Sequence, residues 1–495
     1  MLKLLVLAVA AAGTLSAVAG RSPSAMAELE KATAAFDEPN CSAVLESVAR
    51  LKAMPDFKQD DFVHRVTLEF SALCLEQSGK EADKAAAYAD AMLASAMAGS
   101  GDGVWGVRLD REVRTKDWPA AVTSFERVAV ERPLMLNRLP LAWLNYIDLQ
   151  LRRANQTALR RRYLALFADS SYWPDEPGGS TEGFRFRYAL LLADAGEQEK
   201  ANAIARLLTN SSLLISLSLD PRFRPVFGDD LDLRAVTERY LTQLRTQVGR
   251  FPNAIRPVID VAEHQRLLGR PHEALATLRT LEPAIKGDTP LSDRDDNVIW
   301  WWDQMSRAHY AAGDVPAAIA ALRTASAIRE GNAVNVSQTI NLANLQLTTG
   351  DPAGAMATLK PLDGAGDGTA SPYGVMQVVG VRGCASHRLG QQALADADLA
   401  YAASHRSDAP STLTMLQLCR GDLDGAAASM IARLENKDQR HGALEELSTF
   451  DAPPNTLPRD PVDLALATLR TRPDVKAAAQ KAGGTRNFNI QMSGF

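Results

Sequence analysis

Cysteine is scarce in this sequence, with four residues in 495. That density excludes the small disulfide-stapled scaffolds. No two of the four have C-x-x-C spacing, and the 7 His are dispersed, so neither a zinc ribbon nor a thioredoxin-type redox site is expected. A surplus of one charge sign is also missing. Fifty-four Lys and Arg stand against 59 Asp and Glu, for a net charge of −5. Whole-protein attraction to nucleic acid or anionic lipid is therefore not expected. Beyond the first twenty residues no apolar run approaches the roughly 20 residues of a membrane span. Alternation of apolar and polar residues over neighbouring runs is absent, so no sheet is expected. No G-K-[ST], G-x-S-x-G or H-E-x-x-H occurs, which removes the common signatures of phosphate-loop, serine-hydrolase and zinc-protease chemistry.

What remains is ordinary globular material, 46% hydrophobic and 23% charged. The chain starts Met1-Leu2-Lys3, continues with an apolar stretch Leu4 to Ala12, and reaches small residues at Ala17-Val18-Ala19. A basic start, a short apolar run and an A-x-A site read as a secretory signal peptide over 1–19, with an uncleaved anchor as the alternative. Residue 41 is the first Cys after that run, so the lipoprotein pattern is missing. An exported chain with four Cys implies two disulfides. Cys41 opens one helical pattern and Cys74 closes the next, with a turn signal midway, so an antiparallel pair brings them together. Cys384 and Cys419 form the remaining pair. Four reduced, buried thiols are the alternative.

One phrase recurs along the second half: a helical run, a Gly, an Ala five residues on, and an apolar residue four further. Gly269 leads to Ala274 and Leu278, Gly313 to Ala318 and Leu322, and Gly350 to Ala355 and Leu359. Gly390 leads to Ala395 and Leu399, and Gly421 to Ala426 and Met430, the glycines stepping by 44, 37, 40 and 31 residues. Gly ends one helix in a left-handed conformation. Asp or Pro starts the next, as in Asp314-Val315-Pro316 and Asp351-Pro352. Ala suits a close helix crossing, and the apolar residue four later lies on the same face.

This phrase resembles the tetratricopeptide repeat (TPR) family, most clearly at Trp302, Met305-Ser306, Tyr310, Gly313-Asp314, Ala318, Leu322 and Ala325. Ser306 stands where the family prefers Gly, and Glu330 where a Pro is common. The resemblance spans about 250–435 and extends weakly upstream through Gly196/Ala201 and Asp117-Trp118-Pro119 with Phe125. It implies an all-α fold, an α-α superhelix of helical hairpins, in two lobes and elongated. The expected organisation is a signal peptide 1–19, an N-terminal helical-repeat lobe 20–248, a TPR-like array 249–440, and a C-terminal cap and flexible tail 441–495. The ending from Gly483 to Phe495 offers little to pack.

The resemblance also implies which residues line the concave groove. For Gly313 these are Trp300, Asp303, Arg307, Tyr310 and Ala311. For Gly269 they are Arg256, Ile259, Glu263, Arg266 and Leu267, and for Gly350 Ser337, Ile340, Asn344, Leu347 and Thr348. Trp300-Trp301-Trp302 cannot all be core, since consecutive helical positions point about 100° apart. Trp302 matches the family's buried position, which leaves Trp300 on the groove side beside Arg307 and Tyr310, a composition suited to a binding hot spot. The candidate binding set is Trp300, Asp303, Arg307, Tyr310, Glu263, Arg266 and Asn344, with no catalytic or metal residues and no cofactor.

Other motifs weigh less. Gly101-Asp102-Gly103-Val104-Trp105-Gly106 fits G-x-G-x-x-G but follows an Ala-rich helical run, so a helix–helix loop is the better reading. Asp363 and Asp367 have a calcium-loop flavour, but Gly374 stands where a bidentate Glu should close the site. The acidic pairs, Asp229-Asp230 among them, and Arg160-Arg161-Arg162 read as solvated faces. The expectation is a non-enzymatic scaffold, exported to the periplasm or beyond the cell, binding a protein or peptide on the concave face of the array, without nucleic acid. The alternative is a glycan-binding or glycan-processing cell-envelope protein on a helical superhelix. That alternative needs a catalytic domain which the roughly 50 residues after the array cannot supply.

Overall fold

A computed structural model describes residues 22–492, apart from 56, 170, 229–230, 288, 332, 365–369 and 453–459. The expected signal peptide, Asp229-Asp230 and Asp367 lie outside the described residues. The chain divides into two compact units, 1–184 and 185–495. The expected boundary at 248 falls inside a helix, Leu233–Arg250.

Unit 1 carries α1 (Pro23–Asp37), α2 (Cys41–Lys52), α3 (Asp61–Gln77), α4 (Glu81–Ser95), α5 (Asp102–Arg114), α6 (Trp118–Glu131), α7 (Pro133–Asn137), α8 (Leu141–Arg153) and α9 (Thr157–Ala168). Asp60 and Asp117 cap α3 and α6 by accepting hydrogen bonds from backbone N–H groups of the first turn. Cys41, at the start of α2, is joined to Cys74, near the end of α3, with Cα atoms 5.2 Å apart. The G-x-G-x-x-G stretch joins α4 to α5, and its Asp102 is held by Arg132 at 2.7 Å and Arg138 at 3.2 Å. A ring cluster fills the other end of the unit: Phe125 packs on Tyr163 at 5.3 Å, and Phe167 on Tyr163 at 4.8 Å and Phe184 at 5.1 Å. Two residues of the basic run are paired, Arg160 to Asp148 at 2.6 Å and Arg162 to Glu126 at 2.6 Å.

The division falls within α10 (Glu182–Asp194), and unit 2 continues with α11 (Gln198–Ala205), α12 (Ser211–Ser218), α13 (Arg224–Phe227) and α14 (Leu233–Arg250). The repeated pairs follow: α15 (Arg256–Leu267) with α16 (Pro271–Arg279), the short α17 (Glu282–Lys286), α18 (Arg294–Ala311) with α19 (Val315–Ala327), and α20 (Val336–Thr348) with α21 (Pro352–Leu359). Next come α22 (Pro372–Arg388) with α23 (Gln392–Ser404) and α24 (Pro410–Cys419) with α25 (Leu423–Glu435). The unit closes with α26 (Arg440–Leu447), β1 (Thr449–Asp451), α27 (Pro461–Thr471), α28 (Pro473–Ala482) and β2 (Asn487–Gln491).

The grammar of the repeat has a direct structural cause. All five turn glycines take positive φ, between 73° and 88°. Asp314, Asp351 and Asp422 then cap the following helices, accepting from the N–H of Ala317, Gly354 and Gly425. Ala274, Ala318, Ala355, Ala395 and Ala426 are buried where the two helices of each pair cross. A further lock recurs beside the Gly: Gln265 accepts from Thr277 Oγ1 at 2.8 Å, and Gln346 from Thr358 Oγ1 at 2.7 Å. Gln417 and Ser429 make the same bridge at 2.7 Å. Cys384 on α22 is joined to Cys419 on α24, Cα to Cα 5.8 Å, so this bridge ties the first helices of adjacent pairs.

Two expectations need correction. A sheet was not expected, yet β1 and β2 pair in parallel, Thr449 opposite Asn487 and Phe450 opposite Phe488. Each strand is too short for alternation to show as a repeating signal. The tail was expected to be flexible with little to pack, but Phe488 and Ile490 are buried in one core with Leu217, Phe223 and Val236 from the start of the unit and Met430 and Leu444 from its end. His441 Nε2 lies 2.6 Å from the Ser216 carbonyl in the same region. The first and last helices of unit 2 thus share one hydrophobic core, and Phe488 and Ile490 of β2 are part of it.

Candidate functional site

Successive first helices touch one another, α15 with α18, α20 with α22 and α22 with α24, whereas the second helices α16, α19, α21 and α23 pack chiefly on the first helices on either side. The first helices therefore form the inner side of the array. The candidate residues lie on that side, and the structure brings most of them together.

Along α18, Trp300, Asp303, Arg307 and Tyr310 form one stripe at helical spacing. Asp303 is 2% exposed, and its carboxylate accepts from Arg307 Nε at 2.7 Å and from Asn341 Nδ2 of α20 at 3.0 Å. Arg266 on α15 faces the same cluster and is 4% exposed. Burial brings its guanidinium down to about 10; the nearby Arg307 acts in the same direction, while Glu263 and Asp303 oppose it. Charges of alternating sign on α15 and α18 thus lie at one level, with α20 tied to α18 through Asn341. Asn344, the candidate on α20, is half-buried. Asn341 was missed by sequence reasoning because it follows Ile340 directly, and the resemblance marks Ile340 and not its neighbour.

The three tryptophans separate by depth. Trp301 is completely buried, and its indole N–H donates to the Leu278 carbonyl at 3.0 Å. Trp302 is half-buried and packs between two clusters, against Met305 on one side and Leu322 on the other. Trp300 remains 43% exposed. Trp302 was expected to be the buried one of the three, but Trp301 is the deeper residue.

Exposure follows height along the first helices. Near their N-terminal ends Arg256, Trp300 and Ser337 are exposed. Deeper positions expected to line an open groove are buried: Ile259, Arg266 and Leu267 on α15, and Ile340 and Leu347 on α20. The chain's own C-terminal part lies at this level. β2 packs on α14 and α15, and α27 packs on α24 and α25. Asp460, which caps α27, takes Arg388 Nη2 at 2.7 Å, and the same guanidinium donates from Nη1 to the Leu347 carbonyl at 2.8 Å. The Tyr310 phenol is pushed up by burial first and then by the carboxylates of Asp463 and Asp460. Asp460 and Asp463 carry no sequence signal that would have linked them to α18.

Among the described residues no group of three or more His, Cys, Asp and Glu could hold a metal ion, and no helix is long and apolar enough to cross a membrane. No family model and no curated protein matches the chain. Among solved structures it is similar to a chain in a structure of Naa15/Naa10 bound to HypK-THB, at 16% identity and a TM-score of 0.26. That alignment covers 86% of this chain and 65% of the other. A second is the APC/C hetero-tetramer Cut9–Hcn1, at 10% identity and a TM-score of 0.31, covering 92% of this chain and 86% of the other. The all-α, helix-pair description rests on the helices themselves and not on these likenesses.

Proposed function

We propose that the chain is a non-enzymatic scaffold that binds a protein or peptide on the inner face of unit 2, at the N-terminal ends of the first helices. The observation that carries this reading is Trp300, a large aromatic side chain left 43% exposed one turn from Asp303 and two turns from its ion-pair partner Arg307. An aromatic anchor over a pre-organised polar cluster loses little freedom on binding, which is how a few residues come to dominate an interface. Asp303, held by Arg307 and Asn341, fixes the stripe in place beneath Trp300. We place the scaffold in an exported compartment, supported by the N-terminal pattern and by the two disulfides.

Arg307 is less suited to a binding test than Trp300. Its removal strands a buried carboxylate, at a cost of about 3 kcal/mol. The test therefore uses a photo-crosslinking residue in place of Trp300 and, as a control, of the exposed Thr324 on α19. The expected outcome is capture of one defined protein from Trp300 only, competed by unlabelled wild type. Unlabelled Trp300→Ala should compete at least about tenfold more weakly than unlabelled wild type, with its melting temperature nearly unchanged. Equal capture from both positions, or a large loss of stability with capture intact, would remove the reading.

A further inference from the structure

The segment that covers the inner face of unit 2 is seated in a cleft shaped for an extended strand. Three elements make the cleft: β1, the N-terminus of α14, and the end of α15. β2 pairs with β1 through Thr449 N–H donating to the Arg486 carbonyl at 2.9 Å, while Arg486 N–H donates to Ser448 Oγ at 3.1 Å. Phe488 and Ile490, two residues apart, enter the hydrophobic core from the same face of the strand. Between them Asn489 is read on both ends of its amide. Its Nδ2 donates to Asp232 Oδ1 at 2.8 Å, and its Oδ1 accepts from Arg234 N–H at 3.2 Å. Arg234 in turn ties the walls together, reaching Asp451 at 3.2 Å and the Leu268 carbonyl at 3.2 Å. At the far end the Gln491 side chain lies against Gly269, where a Cβ would come within 2.9 Å of its amide nitrogen.

The backbone pairing of β2 in that seat is short. The parallel ladder is three residues long on the β1 side and loses register between Phe450 and Asp451. Parallel pairing is the weaker kind per residue. β2 is joined to α28 through Gly483 and Gly484, with φ of 139° and 84°, conformations that other residues rarely adopt. These glycines close the end of α28 and lie against Pro221 and Arg224, so a change of φ there is the step that would free β2 while α27 and α28 stay packed.

We propose that this cleft is a binding site for an extended peptide strand of the pattern apolar–Asn–apolar, which β2 fills at rest and from which it is exchanged for a strand of the same pattern presented by another molecule. The mode is strand addition: backbone pairing with β1 supplies affinity, and the Asp232/Arg234 clamp and the two apolar seats supply specificity. The site is distinct from the Trp300 stripe, and neither reading depends on the other.

The test uses the full chain as wild type and as two variants. Asn489→Asp sets a second carboxylate against Asp232, and Ile490→Ser removes one apolar anchor. The probe is a fluorescent peptide of residues 485–492, with a control peptide carrying Ser at both the Phe488 and Ile490 positions. In wild type, amides of β2 should exchange with deuterium at least about tenfold faster than those of α14 and α15, reporting a separate local opening. A variant that keeps wild-type helicity should bind the peptide at least about tenfold tighter than wild type does, and the control peptide should bind neither chain. Exchange of β2 at the rate of α14 and α15 in wild type overturns the proposal. So does a folded variant with accelerated β2 exchange that binds no peptide, or a control peptide that binds as well as the original.

Discussion

Asp260 and His264 stand one turn apart on α15, both nearly out of solvent, and burial moves them in ways that oppose each other in acid. Burial is the main cause that pushes the Asp260 carboxyl up to about 6; Arg256, 2.8 Å away, pulls it down and Glu263 pushes it further up. Burial also brings His264 below the ordinary imidazole value, against the carbonyl of Asp260, which accepts from its Nδ1 at 2.7 Å. Tyr240 of α14 covers the imidazole, ring centroids 5.0 Å apart. A carboxyl raised on folding contributes stability below its unfolded value near 4, and that contribution is lost as pH rises through about 6. An imidazole lowered on folding does the reverse: its contribution is present above about 6.5 and lost as pH falls through its folded value. Asp260→Asn should remove the first effect and leave the second. The variant is expected to gain about 2–3 kcal/mol relative to wild type between pH 4 and pH 7, read by urea unfolding at each pH. Parallel profiles for the two chains would show that Asp260 is not buried as described.

Each helix pair is a small device with its own internal fastenings. Gly stops the first helix, Ala lets the two cross, in three of the five pairs Asp caps the second helix, and in three a Gln–hydroxyl bridge locks them. Such a bridge contributes roughly 0.5–1.5 kcal/mol net, so no single pair stands alone and each relies on stacking against its neighbours. The Cys384–Cys419 bridge acts between pairs, because its sulfurs sit on the first helices α22 and α24. Its sequence separation is 35 residues. Removing a closed loop of that size from the constraints on the unfolded chain costs about 3–4 kcal/mol in the chain-entropy account. Cys384→Ser with Cys419→Ser should lower the unfolding free energy by about that amount while the far-ultraviolet circular dichroism stays helical. A double variant as stable as wild type would mean that the packing of α22 on α24 already holds the two helices in place.

Unit 2 differs from an open stack because its ends meet. Met430 is completely buried in the core that joins α11–α14 to α24–α28 and β2. In an open array a cavity at that position would loosen the neighbouring repeats and leave distant ones intact. Here Met430→Ala should cost about 2–5 kcal/mol. Hydrogen exchange should then accelerate together in α12, α14, α25 and α28. Acceleration confined to α25 and α28 would mean that the two ends do not stabilise each other.

How much could be read without coordinates follows from the range of the forces involved. Helix class, the turn glycines, the Asp caps and the crossing alanines are local: each follows from φ, from an N-terminal N–H, or from spacing on one helix. The pairing of Cys41 with Cys74 was legible because both ends of one antiparallel hairpin are local as well. The stripe Trp300, Asp303, Arg307 and Tyr310 was legible as a face of α18, with Arg266 beside it, but its chemistry was not, since Asn341 and Asp460 come from other helices. The fate of the C-terminal part was not legible at all. Phe488 and Ile490 carry no periodic signal, and only the closure of unit 2 puts α12, α14 and α25 beside them. The sequence by itself thus determined the repeating helix pair and its side-chain faces, which depend on contacts within a few dozen residues. The tertiary structure alone decided which of those faces is open and which is filled by the chain itself. That outcome turns on contacts between residues some 250 positions apart, such as Asp232 with Asn489, which no local pattern encodes.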